Sequence, residues 1–269
     1  MSTTWVNERT LYVCAPRRSG HHAVMHWIMV NSAGPICFLN NCAPQTNPYT
    51  AGRVFDHRLP AGLDLQAERE GRWARKSLLI CSYESRDLER VYQPDFDDAM
   101  SRWLGPSLNT ANLLILRDPF NLIASMYRWV VQGTRWRPPL EALTALPALW
   151  KAYAKEFLEV TSLVPSPVVR ISFNRWFSDA EYRRTLANIL GISAADEGRD
   201  EVAHWGPNVW GDSFDNMAYN GRATEMKVLE RWRQVADEPL YRSLVSDPEL
   251  FELSTAIFGA LPGTEQLMR

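Results

Sequence analysis

Short continuous apolar runs alternate with helical periodicity along this chain. Thr10 to Ala15 is rich in β-forming residues, too brief for a helix and suited to a buried parallel strand. From Ala23 to Val30 the spacing turns helical, with Val24, Trp27 and Ile28 on one face. Ser77 to Tyr83 is a second apolar run, ending at Glu84, and Asn112 to Leu116 is a third. Asp118 is a natural N-cap and Pro119 a natural first helical residue, so a helix begins directly after that third strand. Val168 to Phe173 reads as a further strand, followed by a helix from Asp179 to Leu190 and Gly191. Leu140 to Leu163 predicts a long helix bent near Pro147, and Ala223 to Val235 predicts another. Asn40 to Pro60, rich in Pro, Asn and Gly, reads as irregular loop. Strands followed by helices place the chain in the α/β class, and 269 residues fit one undivided domain.

Two strand-to-helix turns carry anion-binding chemistry. The first is Pro16-Arg17-Arg18-Ser19-Gly20-His21-His22. Gly20 tolerates close backbone approach, and the amides and dipole of a helix start favour negative charge. Arg17 and Arg18 add forked cationic donors, and Ser19, His21 and His22 can donate to the same oxygens. The second is Arg117-Asp118-Pro119, with Ser125 eight residues after the arginine and Arg128 on the same helix face as the serine. Arg117 stands at a strand's carboxyl end, where open α/β sheets place their ligands. An arginine there and a serine on the helix can grip one phosphate between them, so the two turns together describe a nucleotide held by both phosphate ends. The motif G-x-x-x-x-G-K-[ST] of nucleotide triphosphatases is absent, and so is the dinucleotide fingerprint G-x-G-x-x-G.

The pair of turns resembles the donor-binding motifs of the sulfotransferases. The first resembles their 5′-phosphosulfate loop, usually P-[RK]-S-G-T-[TS], and Arg117 with Ser125 resembles their 3′-phosphate motif. The resemblance runs from about Thr10 to Trp129, and more weakly through Val168 to Gly191 towards the C-terminus. It implies a three-layer α/β architecture, P-loop-like, with a central parallel sheet flanked by helices. It implies 3′-phosphoadenosine 5′-phosphosulfate (PAPS) as donor, 3′-phosphoadenosine 5′-phosphate (PAP) as product, an acceptor hydroxyl, and no metal. The family's residues carry over to Arg17, Arg18, Ser19, Gly20, His21, His22, Arg117 and Ser125 as donor-binding groups. Arg18 aligns with the cation before Ser-Gly, often lysine, and its role is electrostatic. His21 and His22 replace the usual Thr/Ser; an imidazole donates through its ring N–H. The base that follows the middle strand is a glutamate in glycan- and protein-modifying members, which points to Glu84, with His57 as the alternative. A late basic loop closes over the donor in this family, and Arg222 is the residue to look at for it. Trp136, Trp205 and Trp210 offer aromatic faces for an acceptor.

Composition narrows the remainder. A net charge of −2 gives no general affinity for nucleic acid or anionic membrane. Cys14 and Cys81 fall on expected core strands and are read as reduced thiols, whereas Cys37 and Cys42 have a spacing that permits a bridge. His22 and His26 share a helical face, but no third ligand completes a zinc motif. No signal peptide or membrane span is apparent, so a cytoplasmic bacterial protein without an anchor is expected. Two other readings stay open: a phosphotransferase with a degenerate loop, and a non-catalytic nucleotide-binding protein of the same fold.

Overall fold

The computed structural model describes residues 5–51, 53–55, 59–61, 63–133, 137–202 and 216–268. In chain order the first half runs β1 (Asn7–Ala15), α1 (His21–Val30), β2 (Ile36–Asn40), α2 (Pro48–Ala51), β3 (Arg53–Phe55), α3 (Leu65–Arg69), β4 (Lys76–Glu84), α4 (Leu88–Val91), α5 (Phe96–Leu104) and β5 (Ser107–Leu116). There follow α6 (Pro119–Tyr127), a π-helical turn at Arg128–Gln132, α7 (Leu140–Thr144), α8 (Leu146–Phe157), β6 (Val168–Ser172), α9 (Phe173–Ser178), α10 (Ala180–Leu190), α11 (Pro239–Val245) and α12 (Pro248–Phe258). The class is the expected one: a parallel sheet flanked by helices, with one short antiparallel edge strand.

The chain divides into two compact units. One combines the residues up to Ala15 with Ser32–Ile115 and Ser162–Ile171; the other combines Pro16–Asn31, Leu116–Thr161 and Ser172–Arg269. The first unit holds the sheet, in the order β3-β2-β4-β1-β5-β6. Its central strands β1 and β4 are parallel and nearly continuously buried, as strands covered on both faces must be. Their register sets Val13 opposite Ser82 and ends with Ala15 opposite Glu84. That register puts residue Glu84 level with the last residue of β1.

Two strands were not foreseen. β2 is five residues long and pairs in parallel with β4, setting Leu39 opposite Cys81. β3 pairs antiparallel with β2, Phe38 opposite Phe55, inside the stretch expected to be loop. Runs this short are strands only because a neighbouring ladder receives their amides, which local composition does not reveal.

The described cysteines are free and fully buried, so the Cys37–Cys42 bridge that the spacing permits is not formed. Burial pushes the thiols of Cys14 and Cys37 up to about 12 and that of Cys81 well above its ordinary value. Among the described residues no helix is long and apolar enough to cross a membrane.

The second unit corrects two helices. The stretch from Leu140 is broken at Ala145 into α7 and α8, with Pro147 in the first turn of α8, where its missing N–H costs nothing. It ends at Phe157, and Glu159 turns the chain at φ 60°. Ala223 to Val235 forms two 3-10 turns, Ala223–Glu225 and Arg231–Gln234, instead of an α-helix. Side chains take the backbone groups that a helix would need: Arg117 Nη2 donates to the Val228 carbonyl, Asn121 Nδ2 donates to that of Leu229 at 3.0 Å, and Asn121 Oδ1 accepts from Trp232 N at 3.2 Å. Tertiary hydrogen bonds overrule the local pattern here.

Within the first unit a fully buried ion pair stands out. Lys76 Nζ donates to Glu68 Oε2 at 2.8 Å and to the Ala74 carbonyl at 2.7 Å, and Glu68 Oε1 accepts from Ala74 N at 2.6 Å. Removing one partner of such a pair leaves a charge without compensation in a dry interior. Lys76→Met is therefore expected to lower the unfolding free energy by ~3–5 kcal/mol in urea titrations, and the double variant Glu68→Gln/Lys76→Met by less.

Candidate anion-binding site

The loop after β1 is shaped for close approach. Ser19 N donates to the Pro16 carbonyl at 3.2 Å, and the chain turns through positive φ at Arg18 (70°) and Gly20 (81°). Arginine rarely adopts that region, and a non-glycine residue held there marks a conformation fixed by its surroundings. α1 starts at His21 with Gly20 as its cap and no side-chain capping bond, an arrangement in which an anion can serve the first amides. Ser19 is fully buried, and its hydroxyl lies 3.2 Å from His21 Nδ1. The His21 and His22 rings lie 4.3 Å apart. A Cβ on Gly20 would fall 2.1 Å from the Phe173 ring at the start of α9, so position 20 needs glycine both for its φ and for that contact.

The second turn is held by Asp118. Its buried carboxylate accepts from Asn121 N at 2.8 Å, capping α6, from Asn121 Nδ2 at 3.0 and 3.1 Å, and from Asn174 Nδ2 at 2.9 Å. Arg117, just before it, is 2% exposed. The Arg117 carbonyl accepts from Trp150 Nε1 at 2.8 Å, and its guanidinium lies 5.4 Å from the centre of the Phe173 ring. Its Nη1 donates to the Arg18 carbonyl at 3.1 Å and its Nη2 to the Val228 carbonyl. Burial, aided by the nearby Arg18 charge and opposed by Asp118, lowers its pKa to about 10, so Arg117 is cationic at neutral pH.

Ser125, buried on α6, is the point of convergence. Arg18 Nε donates to its Oγ at 3.0 Å, and Arg231 Nη1 lies 3.5 Å from the same oxygen. The Arg18 guanidinium also sits over the Trp129 ring, 5.3 Å from its centre, within range of a cation–π attraction. Trp129 lies in the π-helical turn that continues α6, a rare conformation common at functional sites. Side chains from both sequence motifs thus meet at one hydroxyl, although the partner of Ser125 is Arg18 together with Arg231 and not Arg117.

The other expected residues are placed as follows. Arg17 and His22 are half-buried. Arg128 reaches Gln234 Oε1 at 2.8 Å. Glu84 is 8% exposed at the end of β4, in the sheet unit. It belongs to the strand, since Ser85 turns at φ 51° and the next helix starts only at Leu88 with Asp87 as its cap. Arg222 is on the surface, paired with Glu225 at 2.9 Å, and does not join Arg18 and Ser125. His26 pairs with Glu201 at 2.7 Å. His57, Trp136, Trp205 and Trp210 lie outside the described residues. Arg231 was missed because its segment read as a helix; the basic Arg231-Trp232-Arg233 cluster is the one local signal for it.

No family model matches the chain. No curated protein is similar to it in sequence. Solved structures resemble it in fold at low identity. The sulfotransferase domain of the olefin synthase of Synechococcus PCC 7002 aligns with a TM-score of 0.49 and 12% identity, covering 96% of this chain and 98% of that one. The sulfotransferase domain from the curacin biosynthetic pathway aligns at 0.47 and 12%, covering 94% and 98%. The mouse sulfotransferase SULT7A1, complexed with PAP, aligns at 0.45 and 13%, covering 88% of each chain.

Gly20→Ala tests the loop. The added methyl cannot avoid the Phe173 ring and must also hold positive φ, so stability is expected to fall by ~1–3 kcal/mol in thermal or urea unfolding.

Proposed function

We propose that this protein is a sulfotransferase that moves the sulfonate of PAPS to an acceptor hydroxyl. The observation that carries the proposal is the meeting of Arg18, from the first motif, with Ser125, from the second, joined by Arg231. Two guanidinium groups converging on a buried hydroxyl suit a phosphate dianion, which accepts forked, charge-assisted hydrogen bonds. The uncapped start of α1 supplies backbone amides for the other phosphate end of the same nucleotide.

Transfer proceeds in line: the acceptor oxygen bonds to sulfur as the sulfur bond to the 5′-phosphate oxygen breaks, and PAP leaves. Positioning and charge stabilisation supply most of the rate enhancement in such a transfer. Arg18 neutralises charge on the bound donor; arginine does this without releasing a proton. Ser19, His21 and His22 donate to the 5′-phosphosulfate. Glu84 takes the proton of the acceptor hydroxyl, a role supported by its place at the strand end opposite Ala15, the residue that precedes the loop. The acceptor is a hydroxyl of a glycan, lipid, peptide or small metabolite.

Purified protein heated with PAP, with adenosine 5′-phosphosulfate or with ATP and magnesium tests the donor. PAP is expected to raise the melting temperature as its concentration passes its dissociation constant, and Arg231→Ala to weaken PAP by ~1.5–3 kcal/mol. A shift with ATP and magnesium and none with PAP would replace this reading by a phosphotransferase. Tight PAP binding without sulfonate transfer to any acceptor would leave a nucleotide-binding protein. Glu84→Gln is expected to lower turnover ~10²–10⁴-fold with PAP affinity nearly unchanged, measured by single-turnover kinetics and titration calorimetry.

A further inference from the structure

Arg117 was expected to grip a phosphate with Ser125, yet its hydrogen bonds go to two backbone carbonyls. Nη1 holds the carbonyl of Arg18, and Nη2 holds that of Val228. These carbonyls belong to segments far apart in the sequence, and each segment supplies one of the two arginines at Ser125. Arg18 carries its own side chain there, through Nε at 3.0 Å. Val228 lies three residues before Arg231, whose Nη1 is 3.5 Å from the same oxygen. Asn121 fixes the stretch between, donating to Leu229 O at 3.0 Å and accepting from Trp232 N at 3.2 Å. The backbone on both sides of Arg231 is thereby set by side chains of residues 117 and 121.

We propose that Arg117 is a positioning residue: it ties the main chain at Arg18 to the main chain at Val228, and so sets the spacing at which Arg18 and Arg231 present their guanidinium groups beside Ser125. It acts on the donor through those two side chains and not by touching it. The inference rests on the donor reading given above for its functional consequence, but the tie itself is made by protein groups alone. Burial and nearby positive charge work against such an arrangement. Lysine cannot replace it, since one ammonium on a flexible stem lacks the rigid fork that spans two carbonyls.

The experiment has two arms. In the first, hydrogen exchange is followed by mass spectrometry without ligand. Arg117→Lys is expected to speed exchange in peptides covering residues 16–22 and 226–232 and to leave α12 unchanged. Unchanged exchange in either of those two peptides overturns the tie. In the second, PAP dissociation constants are measured for the wild type, Arg117→Lys, Arg231→Ala and the double variant. A residue acting through Arg231 gives non-additive effects: Arg117→Lys weakens PAP about tenfold or more alone, and about threefold or less in the Arg231→Ala background. Equal factors in both backgrounds mean that Arg117 contacts the ligand directly, and overturn the proposal. Arg117→Gln serves both arms if Arg117→Lys does not fold. If the wild type binds no PAP the donor reading fails, and the exchange arm still decides whether Arg117 is the tie.

Discussion

The second unit is organised around the carboxylate of Asp118. It is fully buried, and a charge in that position is tolerable only when its oxygens are saturated with donors. Asn121 and Asn174 saturate them, and each amide then has groups left to spend elsewhere. Asn174 Oδ1 in turn accepts from Asp118 N at 3.2 Å, fixing the start of α9 to the start of α6. Asn121 holds the Leu229 carbonyl and the Trp232 amide. One carboxylate therefore positions the helix that carries Ser125, the ring of Phe173 that packs on Gly20, and the turn that carries Arg231. Charge-assisted hydrogen bonds contribute about 1.5–3 kcal/mol each, so the cluster offsets the desolvation of Asp118 while committing three segments to one geometry.

The chemistry follows from that geometry. Bringing Arg18, Arg117 and Arg231 together in a buried region works against folding, because like charges repel strongly where water is scarce. An anionic ligand reverses the sign of that contribution. Electrostatics built before the ligand arrives need little reorganisation when charge develops during a reaction, which is how preorganised sites accelerate transfer. Fold alone does not establish a use; side chains do.

Much of this was legible in the sequence where local chemistry and tertiary structure agree. β1, β4 and β5 announce themselves as apolar runs, because strands buried on both faces need no alternation. Asp118-Pro119 marks the start of α6 to the residue, since capping depends on a few neighbouring atoms. Gly20 was recognisable as a point of close approach, although Phe173 as the approaching group was not. What failed were features decided by partners distant in the chain. β2 and β3 exist through pairing, and the 223–235 segment gives up its helix to Arg117 and Asn121. Arg222 was singled out for its place after Asn-Gly and lies on the surface with Glu225, whereas the segment that holds Arg231 read only as helix.

The burial of Cys14, Cys37, Cys42 and Cys81 has a practical side. All four lie in the sheet unit, none has solvent access, and those whose pKa is shifted are held as neutral thiols, whereas alkylating reagents attack thiolates. The folded sheet is therefore chemically silent towards such reagents, and any labelling records a moment when it has opened. The protein carries its own clock for that event, one that reports on the sheet unit and on no cysteine of the unit that holds Arg18, Ser125 and Arg231.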